Sequence, residues 1–105
     1  MNKKNIQTAI YLTLASALVL GSTQVQAVGN WASGTNALFS VTTGEYNSAF
    51  GDYALYSNTT GSLNTASGYY SLGYNTSGGY NTASGYSSLF SNTTGNYNTA
   101  SGYLS

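Results

Sequence analysis

The sequence predicts an all-β protein that folds as a β-solenoid with coils of 17 residues. Three observations predict it: a period of 17 residues runs through the chain without insertions, fixed and variable places alternate within each unit, and glycine recurs in every unit. Self-similarity at a fixed short period is the mark of a solenoid, in which units stack because one unit cannot bury its own apolar face. A unit this short does not suit a helical hairpin, and each glycine costs a helix about 1 kcal/mol.

The period appears as columns of identical residue types at every seventeenth position. Three columns form an Asn-x-Ala-x-Gly core, and a fourth supplies one leucine per coil. Cutting before each leucine divides the repeat region into a partial unit, 28–37, and four full units, 38–54, 55–71, 72–88 and 89–105. The structural repeat residues are Asn47, Ala49, Gly51, Asn64, Ala66, Gly68, Asn81, Ala83, Gly85, Asn98, Ala100, Gly102, Leu38, Leu55, Leu72 and Leu89.

Each coil is expected to hold two strands of about four to five residues and two turns, with coils about 4.8 Å apart. Alternation with a period of two indicates a strand with one face committed to packing. Alanine and glycine on that face imply a narrow interior, which the leucine column fills. The phrase N-T-T-G, as at 58–61, is typical of a turn because Asn and Gly tolerate positive φ.

A further column is mostly aromatic and contains Tyr46, Leu63, Tyr80 and Tyr97. Tyrosine rings can pack on one another while their hydroxyls stay in water. We therefore expect Tyr46, Tyr80 and Tyr97 to form a ladder along the solenoid axis. The ladder either joins copies of the chain or is displayed to another partner, and contact between copies is the preferred interpretation.

Residues 1–27 have the layout of a secretory signal peptide of bacterial type. Lys3 and Lys4 precede a mostly apolar run from Ala9 to Leu20, and small residues at alternate positions end at Ala27. The apolar run is shorter than the ~20 residues that a helix needs to span a bilayer. We expect cleavage after Ala27, export to the cell surface, the outer membrane or the extracellular space, and no membrane span in the mature chain, 28–105.

The composition argues against catalysis and against a nucleic-acid partner. The chain contains two basic and two acidic residues and neither His nor Cys. Clustered basic residues are needed to neutralise phosphates, so nucleic acid is not expected to bind. The usual general base, thiolate nucleophile and zinc ligands are missing, and Glu45 and Asp52 are isolated acidic residues on expected turns. We therefore expect no enzyme activity, no cofactor and no metal.

The repeat unit resembles a known family. Units such as A-L-Y-S-N-T-T-G-S-L-N-T-A-S-G-Y, 54–69, are similar to the head repeats of trimeric autotransporter adhesins of the YadA type and to related repeats of fibre-like surface and phage proteins. The resemblance covers residues 28–105. It implies a left-handed parallel β-roll, a homotrimer, and adhesion to host cells, matrix or other surfaces. Family members also carry a stalk and an anchor, whose patterns are not seen here, so the resemblance implies a truncated or fragmentary head.

Ice binding and a purely structural fibre repeat are the alternative functions. Two sets of threonines are aligned by the period and could each form a ladder of hydroxyls and methyls on one face: Thr59, Thr76 and Thr93, and Thr65, Thr82 and Thr99. Such ladders suit some ice-binding solenoids, although the tyrosine ladder would roughen the surface.

Two further sets of residues bear on what the chain binds. Asn58, Asn75 and Asn92 begin N-x-[ST] sequons. Because the repeat itself generates these sequons, a turn is the preferred interpretation over glycosylation. A bound partner would be selected by variable positions, of which Trp31, Phe50 and Tyr74 are examples.

Overall fold

The computed structural model describes residues 27–105, which form an all-β solenoid of about four turns with coils of about 17 residues. The fold class and the period predicted from the sequence are thereby confirmed. The predicted signal peptide, 1–27, lies outside the described residues except for its last position. No helix in this part of the chain is both long and apolar enough to cross a bilayer.

One parallel sheet runs the length of the solenoid, with its strands in sequence order. Each strand pairs with the strand one coil later, so Ala49 lies opposite Ala66, and Ala66 lies opposite Ala83. The register therefore equals the repeat period and places every column of the sequence on one line. The strands are β1 (Trp31–Ser33), β2 (Ser48–Phe50), β3 (Thr65–Ser67), β4 (Thr82–Ser84) and β5 (Thr99–Ser101).

The prediction of two strands of four to five residues per coil is wrong, because each described coil has one strand of three residues. Where a second strand was predicted, the chain forms a turn in which three backbone N–H groups share one carbonyl acceptor. The backbone N–H groups of residues 42–44 all donate to the carbonyl of Thr59, at 3.0, 3.2 and 3.1 Å. A strand ladder needs successive carbonyls as acceptors, so this convergent pattern ties coils together without forming a strand.

The interior is narrow and contains one leucine per coil. Leu55 and Leu72 are fully buried, Leu38 is 6% exposed, and Leu89 is partly buried against them. The inward alanines Ala49, Ala66 and Ala83 are also fully buried. Small side chains on the strand let the opposite wall of the coil approach closely, and the leucines occupy the remaining width.

Backbone conformation at the corners differs from the sequence expectation. The Asn and Gly of the N-T-T-G phrase do not adopt positive φ in the described coils, and other residues do. In each coil one of these residues is the leucine of the core, whose side chain turns inward at a corner of the coil. The non-glycine residues with positive φ are Asn36, Tyr53, Tyr70, Ser87 and Leu104; Leu38, Leu55, Leu72 and Leu89; and Tyr46, Leu63, Tyr80 and Tyr97.

Substitution of Ser87 by asparagine is expected to stabilise the protein by about 0.5 kcal/mol, since asparagine tolerates the left-handed conformation better than serine. Ser87 has φ of 51° and is half-buried, and the equivalent place in the first coil is already Asn36. The check is the midpoint of urea denaturation. A Ser67→Asn variant on a strand should gain nothing, and equal gains in both variants would contradict the conformational explanation.

Candidate functional site

Two ladders of buried asparagines hold the coils together from inside. In the first ladder each side-chain oxygen accepts the backbone N–H of the asparagine one coil later. The oxygen of Asn47 accepts from Asn64 at 2.9 Å, and that of Asn64 accepts from Asn81 at 2.9 Å. The Nδ2 of Asn64 donates to Asn47 Oδ1 at 3.1 Å and to the Gly78 carbonyl at 2.8 Å. These residues are fully buried, so the ladder is structural and offers no surface for a partner.

The second ladder consists of the sequon asparagines. Asn58 and Asn75 are fully buried, and Asn75 Nδ2 donates to Asn58 Oδ1 at 2.8 Å. Asn58 Nδ2 also donates to the Gly61 carbonyl three residues ahead, at 2.9 Å, which closes the turn predicted for N-T-T-G. A glycan on such an amide would have to break this bonding and enter the core. The sequon asparagines therefore stabilise the turn.

The strand-end glycines lie where one coil meets the next. A Cβ on Gly51 would lie 2.8 Å from the carbonyl carbon of Gly68, and one on Gly85 would lie 2.6 Å from the carbonyl oxygen of Gly102. All of these glycines have positive φ. The column is thus required for close approach between successive coils.

The predicted ladder residues Tyr46, Tyr80 and Tyr97 are exposed by 56%, 53% and 75%. Tyr80 and Tyr97 stack with ring centroids 4.9 Å apart and ring planes 16° from parallel. Leu63, 45% exposed, occupies the place between Tyr46 and Tyr80. The column therefore keeps a continuous apolar character along the axis, while its hydroxyls are interrupted.

A larger aromatic surface covers another part of the coil, and the sequence analysis did not single it out. Nine rings form one connected network in which neighbouring centroids lie 4.7 to 6.4 Å apart. We call this network the aromatic surface. Its members are Phe39, Tyr53, Tyr56, Tyr69, Tyr70, Tyr74, Tyr86, Phe90 and Tyr103.

The aromatic surface combines stacked columns with cross-links between columns. Tyr53 stacks on Tyr70 at 4.9 Å, and Tyr69 stacks on Tyr86 at 5.3 Å, each pair being one coil apart. Tyr69 and Tyr70 meet edge to face at 5.2 Å and connect the two columns. Partial burial among these rings raises the pKa of the Tyr70 hydroxyl, and the neighbouring Tyr74 hydroxyl adds to the rise. The nine members of the surface include no acidic or basic residue, and seven of them present phenol groups.

A signal for this surface was present in the sequence as further columns of period 17. Tyr69, Tyr86 and Tyr103 follow that spacing, as do Tyr53 and Tyr70. The sequence could not show that these columns are neighbours, because that depends on how the chain turns between them. Of the variable positions, Tyr74 joins the aromatic surface, whereas Trp31 and Phe50 are exposed on the sheet.

The two predicted threonine ladders have different environments. In the turn, the hydroxyls of Thr59 and Thr76 each donate to the carbonyl of the threonine one coil later, at 3.2 Å. Those hydroxyls are committed to the fold. On the sheet, by contrast, the side chains of β3–β5 that point outward are exposed: Thr65, Thr82 and Thr99, with Ser67, Ser84 and Ser101 beside them.

The two acidic residues each form a hydrogen bond with a neighbouring coil. Asp52 is exposed, and its carboxylate accepts the backbone N–H of Thr35 at 2.8 Å, one coil earlier. Glu45 is half-buried, and its backbone N–H donates to the Ser62 hydroxyl at 3.0 Å. Both residues therefore contribute to contacts between coils.

Comparison with models of known families, with curated proteins and with solved structures found no significant match to this chain.

Proposed function

We propose that the chain is an exported, non-enzymatic, adhesin-like head module that attaches to host cells, matrix or other surfaces through many weak contacts. The observation that carries the proposal is the aromatic surface, which presents uncharged rings on successive coils at a fixed spacing. Identical contacts repeated on one rigid body add through effective concentration, so a weak contact per coil can give firm attachment.

The proposal includes a left-handed winding and a homotrimer. The ladder with Tyr46, Leu63, Tyr80 and Tyr97 is the proposed contact between the three copies. Residue 63 is leucine where the other coils have tyrosine, so the ladder keeps its apolar area there and lacks one hydroxyl. Such a ladder suits a contact that excludes water better than recognition of a polar ligand. Another copy of the chain has the same coil spacing, so its ladder can match this one over several coils.

The aromatic surface is the proposed contact with the target. Seven of its nine rings are tyrosines, which combine a large apolar area with a hydroxyl that can donate or accept a hydrogen bond. Tyr69, Tyr86 and Tyr103 are exposed by 43%, 47% and 73%. An uncharged surface of this kind would bind neutral, hydroxyl-rich or apolar targets, and its binding should depend little on salt.

Secretion of the full 105-residue chain from a Gram-negative bacterial host tests export and assembly together. The exported form should begin at Val28 by intact mass, and light scattering should give three times the mass of one chain. A Tyr80→Ser, Tyr97→Ser double variant should dissociate the trimer, because a polar side chain replaces two apolar rings on each copy. Tyr103→Ser, on the aromatic surface, should remain trimeric and adhere more weakly to coated surfaces, because each copy loses one of its repeated contacts.

Two outcomes would contradict the proposal. A folded monomer at micromolar concentration would exclude the trimer, and unchanged adhesion by Tyr103→Ser would exclude the aromatic surface as the contact with the target. A stable trimer that adheres to none of the cells or matrix proteins tested would favour the purely structural fibre repeat.

Ice binding is the second candidate, and one observation favours it. The outward faces of β3–β5 present aligned Thr and Ser hydroxyls with the methyls of Thr65, Thr82 and Thr99. A regular array of this kind can order water at its surface. Thermal hysteresis in a monomeric sample that is lost in Thr82→Tyr would support this candidate in place of adhesion.

A further inference from the structure

One column of the aromatic surface consists of three tyrosines from three successive coils. Tyr86 stacks on Tyr69 with centroids 5.3 Å apart and planes 12° from parallel, and on Tyr103 at 5.3 Å and 21°. All three rings are exposed, so small oxidants in solution can reach their edges and hydroxyls. We call these residues the tyrosine column.

We propose that the tyrosine column is a site of oxidative cross-linking, at which a dityrosine bond joins neighbouring coils of the same chain. The bond forms between Tyr86 and either Tyr69 or Tyr103. It would serve a chain that contains no cysteine as a covalent link between coils. The inference does not depend on adhesion or on the trimer, since it uses only the geometry of one chain.

The chemistry requires a one-electron oxidant, for which we name hydrogen peroxide activated by a haem peroxidase. Each of two phenols loses one electron and one proton and becomes a phenoxyl radical. The two radicals join through the ring carbons next to the hydroxyl-bearing carbons, and the hydrogen on each of those carbons moves to oxygen to restore the phenols. One peroxide accepts the two electrons and two protons and becomes two water molecules, so atoms and electrons balance.

The tyrosine column offers two stacked, exposed pairs of phenols that share Tyr86. The ladder pair Tyr80 and Tyr97, with centroids 4.9 Å apart, is a further exposed pair, which Tyr97→Phe removes in the test below. Coupling needs two phenols, which excludes the stacked pair Phe39 and Tyr56. The stacked rings of Tyr53 and Tyr70 are close enough, at 4.9 Å, but both are half-buried and less accessible to an oxidant. Within residues 27–105 neither cysteine nor methionine competes for the oxidant.

Parallel in-register stacking also limits the movement that coupling needs. Tyr69, Tyr86 and Tyr103 follow the 17-residue register of the sheet, so their backbones are held about 4.8 Å apart. A radical on Tyr86 therefore has Tyr69 and Tyr103 as its neighbouring phenols, each with its ring centroid 5.3 Å away. Coupling within the chain should then outpace coupling between chains at low protein concentration.

The test treats the exported form of the full chain with a peroxidase and a limiting amount of hydrogen peroxide. We expect dityrosine fluorescence, an intact mass of one chain lowered by two hydrogen atoms, and loss of backbone fragments between Tyr69 and Tyr86 or between Tyr86 and Tyr103. The bond closes a loop of 17 residues, so the midpoint of thermal unfolding should rise by about 12–24 °C.

Matched variants decide the assignment. The parent for this comparison carries Tyr97→Phe, which removes the ladder pair of phenols and keeps its ring. In that parent, Tyr86→Phe keeps a ring in the stack and removes the phenol shared by both pairs of the column, so it should lose most of the fluorescence and the rise in midpoint. Tyr46→Phe is the control, because Tyr46 is equally exposed and has no stacked ring beside it in the described part of the chain; its yield should equal that of the parent. Circular dichroism checks that both variants remain folded.

Three results would overturn the proposal. They are cross-links that join only separate chains, equal yield from the folded chain and the urea-unfolded chain, and equal yield from Tyr86→Phe and the parent. Unchanged adhesion of Tyr103→Ser would contradict the proposed function and, if the parent still cross-links, would leave this inference standing, so the two tests are separable.

Discussion

Replacement of Gly68 by alanine is expected to destabilise the solenoid by about 3 kcal/mol or more, through backbone overlap and conformational strain together. A Cβ at this place would lie 2.5 Å from the carbonyl oxygen and 2.7 Å from the carbonyl carbon of Gly85. Those atoms belong to the backbone of the next coil and cannot rotate away. The φ of Gly68 is also 136°, a conformation that alanine rarely adopts.

Gly102 provides a matched control for this prediction. It occupies the same column with φ of 118°, but a Cβ there would meet no atom within 4 Å. Gly102→Ala should therefore show the conformational strain alone, about 1 kcal/mol. Urea denaturation followed by far-UV dichroism measures both variants. Equal losses in the two would mean that contact between coils contributes little, and the stacking explanation for the glycine column would fail.

The repeat columns were sufficient to predict the period, the fold class and the leucine and alanine columns of the core. Leu55, Leu72 and Ala66 are fully buried as a narrow stacked interior requires, because a residue repeated in every coil meets its own copy above and below. The alternation of residues with a period of two also predicted that Asn64 faces inward, on the same side as Ala66. The sequence could not show that its amide bonds the coils on both sides, since that needs the position of the Gly78 carbonyl from the facing turn.

Local propensity misled the assignment of turns and strands. Asn58 and Gly61 look like residues chosen for positive φ, whereas the structure uses Asn58 as a buried amide and places positive φ at Leu55 and Tyr53. Stacking overrides the preference of leucine because every coil gains a buried side chain in return. The same corner conformations bring the tyrosine columns side by side, so the aromatic surface follows from features that residue preferences do not predict.

Substitution of Asn64 by alanine is expected to cost about 2–3 kcal/mol of unfolding free energy. The change removes the acceptor of the Asn81 backbone N–H, which lies in the fully buried interior with no water to replace it. The Gly78 carbonyl still accepts from Asn75 Nδ2 at 2.9 Å, so the orphaned amide and the small cavity account for most of the loss. Asn64→Asp should be worse at neutral pH, because a carboxylate would face the side-chain oxygen of Asn47.

Asn98 provides the control that separates the cost of breaking the buried asparagine ladder from the cost of removing an asparagine side chain. It belongs to the same column, but it is exposed, and its Nδ2 makes one long contact of 3.4 Å with Asn92 Oδ1. Asn98→Ala should change stability by no more than about 0.5 kcal/mol. A large loss in Asn98→Ala, or a small one in Asn64→Ala, would show that buried amide bonds do not join the coils. The expected contrast instead makes the buried asparagines the groups that fix the register, because packing of leucine and alanine is non-directional and opposes a shift of one strand along the next less than directed amide bonds do.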